Sequence, residues 1–183
     1  PSATIKQWAP EQIAQLPLLP EQKLAVQANC AVMHALEQQI NTVETELLRQ
    51  LKPCKAFQLL KTMAGVGDIL SMTIYLETGD ISRFNSSGNF ASYARMVNSK
   101  RESNGKKKGE GNRKCGNRYL CWAFMEAAHY AIRSNEFIRR FYQRKCGKSL
   151  KVVAMKAVAH KLARACYNML KDGVEFDVKR AFS

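Results

Sequence analysis

Apolar residues along the 183-residue chain recur at helical spacing and seldom alternate, which predicts an all-α fold. The first long element is residues 20–50. Pro20 suits a first helical turn, Glu21 favours the positive helix start, and no Gly or Pro follows until Pro53. Val26, Asn29, Met33, Leu36, Ile40, Val43 and Leu47 form a heptad seam along it, with Asn29 as the polar residue that sets register. The seam predicts a coiled-coil-like helix; the alternative is an amphipathic helix packed on its own domain. Residues 57–78 read as two short apolar helices around Ala64-Gly65-Val66-Gly67. Residues 80–94 read as a turn and a short helix, with Ser86 or Ser87 as N-cap. Helical spacing returns at 119–133, 135–145 and 149–171, and Gly173 supplies a stop. Trp122, Phe124 and Tyr130 in the first of these are expected in the core.

The pattern fails over 98–118. That stretch holds eight bases, two acids and four glycines, with Cys115 its one apolar residue, and it predicts a long loop. The expected architecture is therefore a helical segment at 1–56 and a compact helical domain at 57–183. The domain would contain a helix-hairpin-helix-like motif at 57–78 and a basic, Gly-rich loop at 98–118.

Composition adds limits. An apolar fraction of 46% with 24% charged residues suits a folded domain and argues against wholesale disorder. No run approaches the ~20 apolar residues of a membrane span. The start, PSATIKQWAPEQ, has no basic region followed by an apolar run, so a cytoplasmic protein is expected. Lacking an initiator Met, the chain is expected to be a piece of a longer protein. Six cysteines, at 30, 54, 115, 121, 146 and 166, form no CxxC and are not paired with His34, His129 or His160 at zinc spacing. Reduced structural cysteines and no metal site are expected.

Charge changes the picture most. Residues 1–56 hold five bases and five acids, so 57–183 carry the whole net charge of +14. Such a body suggests a polyanionic partner, nucleic acid before a membrane surface. Gly65 and Gly67 would let backbone N–H groups approach a DNA phosphate. Lys100, Arg101, Lys106, Lys107, Lys108, Arg113, Lys114 and Arg118 could neutralise several more. Arg139, Arg140, Arg144 and Lys145 read equally well as a second phosphate-facing stripe or as a solvated helix face. No phosphate loop, HExxH or GxSxG occurs. Ser103 lies between Arg101 and Lys106, in a field that would stabilise charge building on a phosphoryl group.

Several motifs occur in one order: LLKTMAGVGDILSMTIYLETGDISRF, FASYARMV, ESNGKKKGEGNRKCGNRYL and AHKLARACYNMLKDG. Over about residues 57–175 this resembles the C-terminal, serine-containing transposase domain of the insertion-sequence 110 family, recombinases directed by a structured bridge RNA. The family's "PG.G" hairpin, "D..RF" turn, serine followed by Gly, and "K.GN..LR" helix lead fall on residues 64–67, 80–84, 103–105 and 114–121. Departures are Ala64, Arg95, Asn98, Asn104 and Cys121. The resemblance implies that Ser103 is the nucleophile, with Ser99 the other nearby serine, and that a phosphoserine–DNA intermediate precedes exchange and religation. It implies DNA and a guide RNA as partners, and the seam along residues 20–50 adds a homo-oligomer as an expectation. It also implies a separate acidic, RuvC-like N-terminal domain that supplies Mg²⁺, so that this piece alone would be catalytically incomplete. The competing readings are a non-enzymatic helical nucleic-acid-binding module and a dimerising scaffold.

Overall fold

The computed structural model describes residues 8, 10–97, 100–110 and 115–183; for residues 10, 100–102 and 107–110 it describes the backbone alone. The chain divides into two compact units, Pro1–Arg49 and Gln50–Ser183. In the first, α1 (Pro10–Ala14) precedes α2 (Pro20–Leu51), whose last residues enter the second unit. The turn between them is held by Lys23 Nζ, which donates to the Ala14 carbonyl at 2.6 Å. Leu36, Ile40 and Val43 of the heptad seam are 57%, 54% and 57% exposed. The helix is as long as the residues predict; Val26, Met33 and Leu47 of the seam are half-buried, and its middle is uncovered.

The second unit is built of α3 (Lys55–Lys61), α4 (Asp68–Thr78), a 3₁₀ turn (Ile81–Arg83), α5 (Ser87–Tyr93), a two-stranded hairpin, α6 (Arg118–Ser134), α7 (Glu136–Cys146), α8 (Lys151–Asp172) and α9 (Val178–Phe182). The all-α class holds. Two helices make the core. On α6, Leu120, Ala123, Phe124, Ala127, Ala128 and Ala131 are fully buried; on α8, Val158, Ala159, Leu162, Ala163 and Cys166 are. Both sets follow the spacing of one helix face, and their alanines let helix backbones approach closely. α6 packs on α4, α7 and α8, and α5 and α3 also close on α8.

Phe90 of α5 is the hub of an aromatic cluster. Its ring lies 5.1 Å from Phe84, 6.0 Å from Phe124 and 6.3 Å from Tyr167. The Tyr167 hydroxyl donates to the Phe84 carbonyl at 2.9 Å. This explains the Asp80–Phe84 motif locally. Asp80 accepts from the Ser82 amide at 2.8 Å and the Ser82 hydroxyl at 2.7 Å, which holds its carboxyl below the usual range. The tight turn then drops Phe84 onto the core. Ser86 is the N-cap of α5, accepting from the Asn89 amide at 3.2 Å.

Two expectations are corrected. Phe124 is core, but Trp122 and Tyr130 are 46% and 54% exposed. They lie eight residues apart, outside the buried stripe, and line the groove beside the Gly65–Gly67 turn. The basic stretch is also not a loop throughout: β1 (Lys100–Ser103) and β2 (Lys106–Glu110) pair antiparallel. All six cysteines are free, with Cys30 and Cys166 buried. Among the described residues no helix is long and apolar enough to cross a membrane.

His160 on α8 gives a pH prediction. Burial, then Arg164 and Lys161, hold its imidazole below the ordinary value of 6.5. Between the lowered value and 6.5 the unfolded chain binds more protons than the folded one. Stability is therefore present above that window and lost as pH falls through it. His160→Gln should flatten the fall of the thermal midpoint from about pH 7 to about pH 5; an unchanged slope would remove His160 from the account.

Candidate nucleic-acid interface

The hairpin turn is Asn104-Gly105. Their φ angles are +53° and +69°, both left-handed, as a type I′ two-residue turn requires. Asn tolerates that region and Gly adopts it without cost, so this dipeptide closes the strands with the right twist. Ser103 is thereby the last residue of β1, directly opposite Lys106. Cross-strand partners project to the same side, with Cβ atoms about 5 Å apart. Ser103, Asn104, Gly105 and Lys106 are all exposed. Further along, Glu102 pairs with Lys107, Arg101 with Gly109 and Lys100 with Glu110, with an irregularity between Arg101 and Glu102. Lys108 also lies in β2. Arg113, Lys114 and Ser99 lie outside the described residues.

The base of this basic segment is tied to the core at Gly116-Asn117. Gly116 has φ +92°, and a Cβ there would lie 2.4 Å from the Tyr93 carbonyl oxygen. Arg95 donates to the Gly116 carbonyl from Nε at 2.9 Å and Nη2 at 2.7 Å, clamping the two ends of the segment together. Arg95 itself has φ +59°. That conformation suits glycine, and the two hydrogen bonds offset the strain of a larger residue here.

Asn117 ties this junction to the core. Its amide donates to the Tyr93 carbonyl at 2.7 Å, and its Nδ2 donates to Glu77 Oε2 at 2.6 Å. Its Oδ1 caps α6, accepting from the Tyr119 and Leu120 amides at 2.8 and 3.0 Å. Asn117, and then Arg83, also hold the Tyr93 hydroxyl below its ordinary pKa. Asn117→Ala removes a cap and a charged hydrogen bond, so a loss of about 2–4 kcal/mol is expected in urea unfolding. Asn117→Ser keeps a cap acceptor without setting a second carboxylate against Glu77, and should recover part of it. Equal losses would contradict the capping role.

Arg118 begins α6 exposed, with Nη2 donating to the Tyr119 hydroxyl at 2.6 Å and its guanidinium 4.7 Å from that ring. The α3–α4 turn carries the two other glycines. Gly65 has φ +79°, and a Cβ on it would meet the Ala127 oxygen at 2.2 Å and the Ala131 nitrogen at 2.6 Å. Its missing side chain lets the turn press against α6. Gly67 is exposed, and a Cβ there meets nothing. Next to it Asp68 pairs with Lys61 at 2.6 Å. The turn borders a groove of about 780 Å³ lined also by Trp122, Glu126, Tyr130 and Arg133. Two carboxylates thus flank this turn, whereas the hairpin is the strongly basic element.

Pattern reading missed Arg95, Glu77 and Asn117 as positioning residues, although Asn117 stood in a quoted motif. It also missed the Asn-Gly turn, whose signal is present in the residues. Among the described residues, no group of three or more His, Cys, Asp or Glu side chains could hold a metal ion.

The model of the family described as "Transposase IS116/IS110/IS902 family" matches residues 57–143. The resemblance is to the IS116/IS110/IS902 transposases. The match runs from α3 through the glycine turn, the aromatic turn, the hairpin and α6 into α7. The uncharacterized 44.8 kDa protein of insertion element IS116 from Streptomyces clavuligerus is 27% identical over 160 residues. That alignment covers 85% of this chain and 40% of the relative. The transposase match therefore includes Ser103, Gly116 and Asn117, and the relative is much longer than the chain.

Proposed function

We propose that this chain is a DNA transposase domain in which Ser103 attacks a DNA phosphodiester. The observation that carries the reading is the position of Ser103: exposed, at the end of a strand, opposite Lys106, inside the segment that matches the transposase family. In the step proposed, Ser103 Oγ forms a bond to phosphorus as one deoxyribose oxygen leaves. The serine proton passes to solvent or a base, and the departing oxygen takes one up. One phosphoester replaces another, so no external energy is needed, and attack by a second strand's hydroxyl releases the serine. Lys106 and the hairpin's other bases would stabilise charge on the phosphoryl oxygens in the transition state. Gly65 and Gly67 are proposed as lesser contacts, because Asp68 opposes a phosphate there.

A structured guide RNA is proposed as a second partner, and Mg²⁺ would come from acidic residues elsewhere in the recombinase. Homo-oligomerisation through residues 20–50 is supported by the uncovered Leu36, Ile40 and Val43. The alternative is a binding module with Ser103 idle. The test supplies the acidic domain in trans, guide RNA, Mg²⁺ and DNA. Ser103→Ala should keep DNA binding and lose strand transfer, while Ser99→Ala keeps both. Full strand transfer by Ser103→Ala would overturn the proposal.

A further inference from the structure

Away from the hairpin, α7 and α8 gather four cations. Arg144 and Lys145 stand exposed in the last turn of α7, and Lys161 and Arg164 lie three residues apart on α8. Lys145 Nζ and Lys161 Nζ sit 5.6 and 5.4 Å from the centroid of one ring, Phe141, which is itself packed at 5.3 Å on Phe182. Lys161 Nζ donates to the main-chain oxygen of Ser183, the last residue, at 2.9 Å, and Arg164 Nε to the neutral Ser87 hydroxyl at 3.3 Å. The nearby carboxylates are engaged elsewhere. Asp177 caps α9 through the Lys179 and Arg180 amides, and Asp172 faces Arg180 at 3.8 Å. Among the described residues none of the four cations pairs with an Asp or Glu side chain, although Glu175 borders the same surface near Lys161 and Arg164.

Gathering like charges on rigid, packed helices opposes folding, and a bound polyanion would offset that repulsion. We infer that Arg144, Lys145, Lys161 and Arg164 form a second, sequence-independent grip on the phosphodiester backbone of nucleic acid, separate from the hairpin. The inference rests on the proposed nucleic-acid role. Its support includes the Lys161 ammonium, which burial, then Arg164, Lys145 and Arg144, hold below its ordinary pKa. Phosphate contacts supply affinity without reading bases, so both duplex DNA and structured RNA carry the required chemistry.

The test uses the full chain, a 20-base-pair DNA duplex of arbitrary sequence and an RNA hairpin, each titrated against salt. The triple variant Arg144→Gln, Lys145→Gln, Arg164→Gln is compared with Lys52→Gln, Lys55→Gln, Lys179→Gln, which removes the same charge from other exposed sites. Each lost duplex contact should shallow the slope of log affinity against log salt by about 0.9. The first variant should therefore lose about 2–3 in slope and the second much less. Its urea midpoint should equal or exceed that of the unaltered chain, because repulsion is relieved. An effect on the duplex assigns the grip to DNA, and one on the hairpin alone assigns it to RNA. Equal slopes for the two variants on both probes, or no binding of either probe at about 50 mM salt, would overturn the inference. Strand transfer is not read, so a shifted slope stands even if Ser103 proves inert.

Discussion

Gly65→Ala is expected to destabilise the second compact unit by about 2–5 kcal/mol. Two independent costs add. The φ of +79° is unfavourable for any residue with a Cβ, and that Cβ would lie 2.2 Å from a backbone oxygen and 2.6 Å from a backbone nitrogen of α6. Backbone atoms inside a helix cannot rotate away as a side chain can, so α6 or the turn must shift. The neighbouring Gly67→Ala is the matched comparison. It sits at φ −98° with open space around its Cβ, and should change stability by less than about 1 kcal/mol. Urea unfolding of both variants checks this. Equal destabilisation would show that the turn needs glycine for some reason other than contact with α6.

Ser103→Ala should have the largest effect on chemistry and almost none on the fold. The side chain is exposed, so its removal leaves no cavity. If the hydroxyl forms the covalent intermediate, its loss should lower strand transfer at least about 10³-fold, as removal of nucleophiles from covalent catalysts does. DNA affinity should persist, because phosphate contacts and not the serine supply it. Single-turnover assays at saturating DNA separate the two effects. A parallel fall in binding and transfer would indicate a contact residue instead of a nucleophile.

The helices were legible because their apolar positions repeat at the spacing that burial requires. Leu120, Phe124, Ala127 and Ala131 declare the inner face of α6, and Gly173 its neighbour's end. Trp122 and Tyr130 were misplaced because aromatic character was weighed above position: eight residues apart, they fall outside the buried stripe and line an open groove. The hairpin was hidden by composition. Lys, Arg, Glu and Ser carry no apolar alternation, so only the Asn104-Gly105 turn announces the strands. Ser103 stood out through its motif, but its place opposite Lys106 depends on that turn. Arg95 and Glu77 were illegible for another reason. Their contacts with Gly116 and Asn117 bridge 21 and 40 residues, and no local pattern encodes such partners.

The nucleophilic role of Ser103 is tested most directly by locating the protein–DNA bond. The chain, supplied with the proposed acidic domain, guide RNA and Mg²⁺, is denatured during turnover on labelled DNA and digested, and the nucleotide-bearing peptide is sequenced by mass spectrometry. The account predicts a phosphodiester remnant on Ser103, absent from Ser103→Ala and present in Ser99→Ala. A remnant on any other residue, or DNA cut and rejoined with no protein-linked intermediate, would contradict it.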